Sequence, residues 1–422
     1  MNRRKLLAYG AAVAAAAPLA ACGSNDDDSS ASGPVELTIS VWSMDSTPEF
    51  KALFDAFQKA NPDITIKPVD ILAADYPTKV TTMLAGGDST DVITMKNVID
   101  YARYAGRGQL KDLTSAATSA TFAKANGLDA FKQDGGKYFA LPYRQDFWVL
   151  YYNKKLFDAA GKAYPANLTW DQYQDLAKSL TAGAGQNKVY GTYHHTWRSI
   201  VQAIAAAQTG GNQLGPDYSF FNDQYKTALA LQEAGATLDY GTAKTQKTGY
   251  ASMFETKKTT MLPMGTWFIA KILADKKAGT TDVDWAIAPL PQRPGGSGVT
   301  TFGSPTAFAV NKNAKHSAAA QKFVEFACGP EGAKVIAAIG VVPALLTEDI
   351  RTSYFALAGM PTDETSKKAF NPDKINLEMP VSDKTSKIDT ILNEEHDLIM
   401  TKAKSIDAGI AEITSRVKNE AS

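Results

Sequence analysis

Four short clusters in this 422-residue chain combine flat aromatic rings with charged or polar side chains. They are Trp42-Ser43-Met44-Asp45, Arg144-Gln145-Asp146-Phe147-Trp148, Tyr193-His194-His195-Thr196-Trp197 and Met264-Gly265-Thr266-Trp267. Aromatic faces cover C–H surfaces, and charged groups make strong hydrogen bonds to hydroxyls, so such clusters suit a ring with an apolar face and a polar rim. Lys96 and Asn97 add further polar groups. Other chemistries are less well served. Asp45 and Asp146 could serve as the two carboxylates of a glycoside-cleaving enzyme, which needs them about 5–10 Å apart. The His194-His195 pair suggests metal, but no Asp/Glu/Cys cluster adjoins it, and four histidines without Cys/His spacing argue against zinc. There is no Gly-x-Gly-x-x-Gly, no Walker loop and no Gly-x-Ser-x-Gly elbow, so no cofactor or metal is expected.

The elements that must position these residues read as alternating strands and helices. Val35–Trp42 alternates as a strand, and Phe50, Leu53, Phe54 and Phe57 repeat at helical spacing until Asn61-Pro62. Asp63–Val69 alternates again, Tyr76–Leu84 is helical, and Asp91–Met95 is a short buried strand. That order predicts an α/β fold with a largely parallel sheet, with a site just beyond the strand ends at Trp42–Ser46 and Met95–Val98. Tyr138–Lys154 reads as extended, Thr169 as the N-cap of a helix, Met261–Trp267, Asp284–Ala288 and Thr306–Val310 as strands, and Ala318–Ala327 as a helix. Ile388, Ile391, Leu392, Leu398, Ile399, Ile406, Ile410, Ile413 and Val417 recur at three, four and seven, predicting two amphipathic helices docked on the body.

The N-terminus has its own pattern. Arg3-Arg4-Lys5, an Ala-rich apolar run and Leu19-Ala20-Ala21-Cys22 read as a signal peptide over residues 1–21, too short to span a membrane. Residues 22–34 read as a solvated, flexible tether. Residues 1–21 hold three basic and no acidic side chains, so the remainder carries 41 basic against 44 acidic groups, a formal −3. No basic surface for nucleic acid is expected. With Cys22 modified, Cys328 stands alone and fits the buried face of a helix.

Taken in order, these landmarks resemble the extracellular solute-binding proteins, family 1, of ATP-driven sugar importers, the relatives of maltose-binding protein. The carriers are Leu37-Thr38-Ile39-Ser40-Val41-Trp42, Phe54-Asp55-Ala56-Phe57, Asn61-Pro62-Asp63-Ile64, Asp91-Val92-Ile93, Tyr138–Tyr143, Val149–Phe157, Leu168–Asp171, Met264–Trp267 and Ile339–Pro343. Leu19–Cys22 likewise resembles the bacterial lipobox, which implies lipidation of Cys22 and an extracytoplasmic protein anchored to the cell membrane. The family resemblance implies a two-lobed periplasmic-binding-protein-like fold with several hinge crossovers and a ligand cleft between the lobes. The crossovers are expected near Tyr143–Trp148, Thr300–Ser304 and Pro343–Leu346. Residues 35–143 with 304–344 would form the N-terminal lobe, and 144–303 with 345–422 the C-terminal lobe. The implied ligand is a carbohydrate, an oligosaccharide by preference, and the implied partners are the permease subunits of an ABC transporter, met by a monomeric, non-enzymatic binding protein.

By the same resemblance Trp267 stacks on sugar, with Gly265 allowing close backbone approach. Asp146 accepts from hydroxyls, and Arg144 pairs with it or donates to ligand. Asp45 matches a polar contact position, the plainer reading being a helix cap. Trp42, Lys96, Asn97, His194, His195 and Trp197 complete the candidate set, although no Trp stands among residues 95–97, where relatives often carry an aromatic. An amino acid, polyamine or metal chelate on the same fold is the alternative ligand class.

Overall fold

A computed structural model describes residues 33–296 and 298–421. The leader, Cys22 and all of the tether before Gly33 lie outside the described residues. The first strands form as their alternation predicts. β1 (Val35–Trp42) buries Leu37, Ile39 and Val41 completely. The helix Pro48–Ala60 covers them with Phe50, Leu53, Phe54 and Phe57, then stops at Asn61. β2 (Ile64–Ile71) runs parallel to β1 and ends the sheet. It tolerates Pro68 there because no further strand needs that nitrogen as a donor. The helix Tyr76–Ala85 returns the chain to β3 (Val92–Met95), again parallel to β1.

The rest of the sheet departs from the parallel expectation. β4 (Leu141–Asn153), β5 (Tyr190–Thr192), β6 (Thr259–Gly265), β7 (Trp285–Ala288), β8 (Thr300–Val310) and β9 (Lys374–Leu377) complete it, in the order β2-β1-β3-β8-β4-β6-β5 with β7 on β4 and β9 on β8. β8 meets β3 and β4 antiparallel, and β4 meets β6 and β7 antiparallel. Only β1 with β2 and β3, β5 with β6, and β8 with β9 are parallel. The helix-linked units at the start of the chain impose parallel pairing, but the long strands β4 and β8 arrive from distant sequence and are free of that constraint.

β4 changes partners along its length. Residues 141–147 pair with β8, and residues 148–153 pair with β6 and β7. The change falls within the predicted crossover segment Tyr143–Trp148. β8 does likewise, pairing with β9 at residues 300–303 and with β3 at 307–310. A third segment runs beside β4: Ala344 N donates to Tyr143 O (3.0 Å) and Gln145 N to Val342 O (3.2 Å). The two C-terminal helices, Thr385–Met400 and Ile406–Glu420, bury Ile388, Ile391, Leu392, Ile399, Ile410, Ile413 and Val417 as their spacing predicts. The described residues from Val35 onward form one compact unit by contact, and no described helix is long and apolar enough to cross a membrane.

Candidate ligand cleft

The partner change in β4 decides where the candidate side chains converge. Arg144, Asp146 and Trp148 leave one face of the strand, Gln145 and Phe147 the other. Asp146 is 3 % exposed. Its Oδ2 lies 3.0 Å from Arg144 Nε, and its Oδ1 accepts from the Thr266 hydroxyl at 3.0 Å. Arg144 also donates to Thr306 Oγ1 (3.1 Å) and is ion-paired with Glu49 from the first turn of the helix Pro48–Ala60. Of the two alternatives for Arg144, the pairing with Asp146 is present, as the centre of a larger group. Burial pushes both carboxyls above their ordinary range, while the adjacent guanidinium pulls each back.

Trp267 sits where β6 gives way to a helix. The strand expected through Trp267 ends at Gly265, and the helix Trp267–Ala278 begins immediately. The indole folds back over the glycine, where a Cβ would lie 1.9 Å from Trp267 Cζ3. Gly265 thus makes room for the indole itself, a different close approach from the expected one to ligand. Trp148 meets Trp267 edge to face with centroids 5.7 Å apart, and Trp197 lies 6.1 Å from Trp267. His195 packs 4.5 Å from Trp197 and 5.4 Å from Tyr250, and the Tyr250 hydroxyl lies near Trp267. Trp197 is 42 % exposed despite its size, so this corner of aromatic faces opens toward solvent.

The remaining candidates divide. Trp42 is 5 % exposed, held edge-on by Phe50 and Tyr76, with Lys96 Nζ and the Arg144 guanidinium 5.6 and 5.8 Å from its ring. It is a base for two cations rather than an open stacking surface. Lys96 donates to Ala73 O (2.7 Å) and has no carboxylate partner among the described residues. Burial and Arg144 lower its pKa to about 8. Asn97 is partly buried, and its Oδ1 accepts from Ile99 N two residues on (3.0 Å). Asp45 is exposed on a short turn, and Thr47, not Asp45, occupies the cap position of the following helix. His194 points away from the aromatic corner into the core, stacked on Tyr173 with its Nε2 3.0 Å from the Tyr173 hydroxyl. Burial lowers its pKa and that of His195 to about 4, so both are neutral near pH 7.

Glu49 and Tyr250 escaped the sequence reading, and Trp148 entered it only as part of a cluster, with no role of its own. Glu49 follows Pro48 in a first helical turn, where an acidic residue reads as a partner of the helix dipole. Tyr250 is more than fifty residues from its nearest partner in the chain apart from Trp267 and Phe268. On the reverse face of β4, Gln145 and Phe147 help line a cavity of about 520 Å³ with Gly303, Val342 and Phe370. None of the predicted side chains enters that cavity; the aromatic and charged groups converge on the opposite face.

The family model for bacterial extracellular solute-binding proteins matches residues 42–334. The chain belongs to this family. Among its solute-binding relatives, a binding protein of Brucella abortus is 26 % identical over 318 residues, covering 71 % of this chain and 72 % of that one. The crystal structure of a sugar transporter from Rhizobium etli, in an open conformation, is 38 % identical with a TM-score of 0.76, covering 91 % of this chain and 99 % of that one. A Listeria monocytogenes ABC substrate-binding protein in complex with cycloalternan shares the fold, with 23 % identity, a TM-score of 0.77, and 91 % and 98 % coverage. The architecture is therefore the two-lobed α/β form of solute-binding proteins, and family and fold are those of transport proteins rather than enzymes.

Proposed function

We propose that this chain captures a carbohydrate outside the membrane and delivers it to the transmembrane subunits of an ATP-driven importer. The carrying observation is the open aromatic corner of Trp197, Trp267 and Tyr250 beside the Arg144–Asp146 pair. Aromatic faces answer the C–H side of a sugar ring, and a fixed ion pair answers its hydroxyls. The similarity to the Rhizobium etli sugar transporter supports the same reading. In this proposal Trp267, Trp197, His195, Arg144, Asp146 and Lys96 face the ligand, with Asp45 at the rim. Trp42, Asn97, His194 and Gly265 act behind them.

The lobes divide as residues 35–143 with 304–344 and 144–303 with 345–422, and close about the β4 and β8 crossovers. The protein works as a monomer tethered through lipidated Cys22. The deciding experiment is calorimetry of residues 34–422 against a panel of plant, host and milk glycans. A saccharide binding with raised thermal stability is expected. Binding of an amino acid or polyamine, with no saccharide bound, overturns the proposal. For the anchor, metabolic fatty-acid labelling should mark the wild-type chain and not Cys22→Ala; equal labelling of both removes it.

A further inference from the structure

The cleft holds four buried or half-buried charges whose signs cancel. Arg144 and Lys96 supply two cations, both set against the Trp42 ring. Asp146 and Glu49 supply two carboxylates, both in contact with Arg144. Asp146 lies on the crossover strand itself, whereas Glu49 reaches in from the helix Pro48–Ala60 and is 2 % exposed. Lys96 has no carboxylate of its own among the described residues, so Glu49 is the charge that brings the group to zero. Carboxylates on adjoining elements have other partners or are exposed: Asp45 is exposed on its turn, Asp70 accepts from Met44 N, Asp100 is paired with Arg103, Asp389 with Arg198, and Glu378 accepts from the Ser199 hydroxyl. His195, in the aromatic corner, is uncharged near pH 7.

From this balance we infer that Glu49 is a specificity-determining residue that does not touch the ligand: by neutralising the cation pair under Trp42 it restricts the cleft to uncharged saccharides and rejects uronates. The inference rests on the carbohydrate reading above. A buried cation without its counter-ion attracts an anion strongly, because a low-dielectric surrounding weakens charge interactions far less than water does. Removing the Glu49 charge leaves a net positive cleft floor, which a sugar carboxylate would satisfy. Removing the Lys96 charge instead leaves it net negative, which would repel one. Removing both restores the balance.

The test compares the full chain with Glu49→Gln, Lys96→Gln and the double variant at pH 7. Glutamine keeps the size of Glu49 and an oxygen able to accept from Arg144. The probes are glucose, galactose and galactobiose, with glucuronate, galacturonate and digalacturonate as their respective acidic counterparts, all measured by calorimetry. Wild type should bind a neutral member and discriminate against its uronate. Glu49→Gln should move that ratio toward the uronate by about tenfold or more. Lys96→Gln should move it the other way, and the double variant should return near the wild-type ratio. A purely structural role for Glu49 predicts instead a double variant at least as impaired as either single one, with the ratio unmoved, and that result overturns the inference. Should Glu49→Gln fail to fold, the wild-type ratio still decides: a wild type that binds a uronate as tightly as its neutral sugar overturns the inference. Binding of neutral sugar with an unmoved ratio defeats this inference alone. A wild-type chain that binds none of these probes and no other saccharide defeats the carbohydrate reading, and this inference with it.

Discussion

Replacing Trp267 by Ala separates a ligand platform from a core tryptophan. The ring is half-buried: it meets Trp148 edge to face at 5.7 Å and Trp197 at a tilt at 6.1 Å, and part of it remains open. Truncating a fully buried Trp costs about 3–5 kcal/mol. The lower end of that, about 3 kcal/mol, is expected here, since part of the ring is open and has no packed partner to lose. In a body of this size the melting temperature should fall by a few degrees. Loss of an aromatic anchor from a binding site costs about 1–3 kcal/mol, which weakens affinity by roughly five- to 150-fold. Calorimetry with the saccharide found by screening measures affinity in the folded protein, and scanning calorimetry measures stability. Ligand should also change tryptophan emission in wild type and much less in Trp267→Ala. A variant that loses 4 kcal/mol or more of stability while binding sugar as tightly as wild type would refute the placement of the site.

Arg144→Met should strand two buried carboxylates, and breaking such a group costs about 3–5 kcal/mol; an unchanged urea midpoint would show that Glu49 and Asp146 do not depend on it. Acid should destabilise the fold through His194. Burial lowers its pKa from 6.5 to about 4, so the unfolded chain takes up the proton first, and stability falls as pH drops from about 6.5 to 4. The full shift corresponds to about 3 kcal/mol. His194→Gln should flatten that part of the pH–stability curve, and an unchanged slope would contradict the assignment. Closure about the crossovers should shrink the radius of gyration when sugar saturates the protein, because only a form that binds better can be enriched; an unchanged scattering curve would mean a rigid cleft.

Much of the framework was legible because local rules governed it. The alternation of β1 and the phenylalanine stripe after Pro48 bury the predicted residues, and the two C-terminal helices bury theirs except Leu398 and Ile406, which are only partly buried. Thr169 closes the predicted N-cap, with a reciprocal bond from Gln172 that makes a full capping box. Trp267 shows where local rules stop. The apolar run Met261–Trp267 fits a strand, and only the folding of the indole over Gly265 reveals that the helix has already begun. β8 begins at Thr300, six residues before its expected start, because its first residues pair with β9, some seventy positions later in the chain. The two histidines read alike in sequence, yet the turn of the backbone between them sends His194 to Tyr173 and His195 to Trp197. Asp45 and Glu49 show the converse: the carboxylate that looked available is exposed, and the one that looked like a helix-end charge is buried at the centre.

The grouping of Trp148, Trp197 and Trp267 carries one more consequence. Their ring centres all lie within 6.4 Å of one another, close enough for their electronic transitions to mix instead of absorbing separately. Fixed at steep mutual angles, such indoles form a chiral chromophore, and a small tilt of any one changes its circular dichroism. If solute binds where we propose, the protein carries its own optical gauge beside it, readable without dye or label.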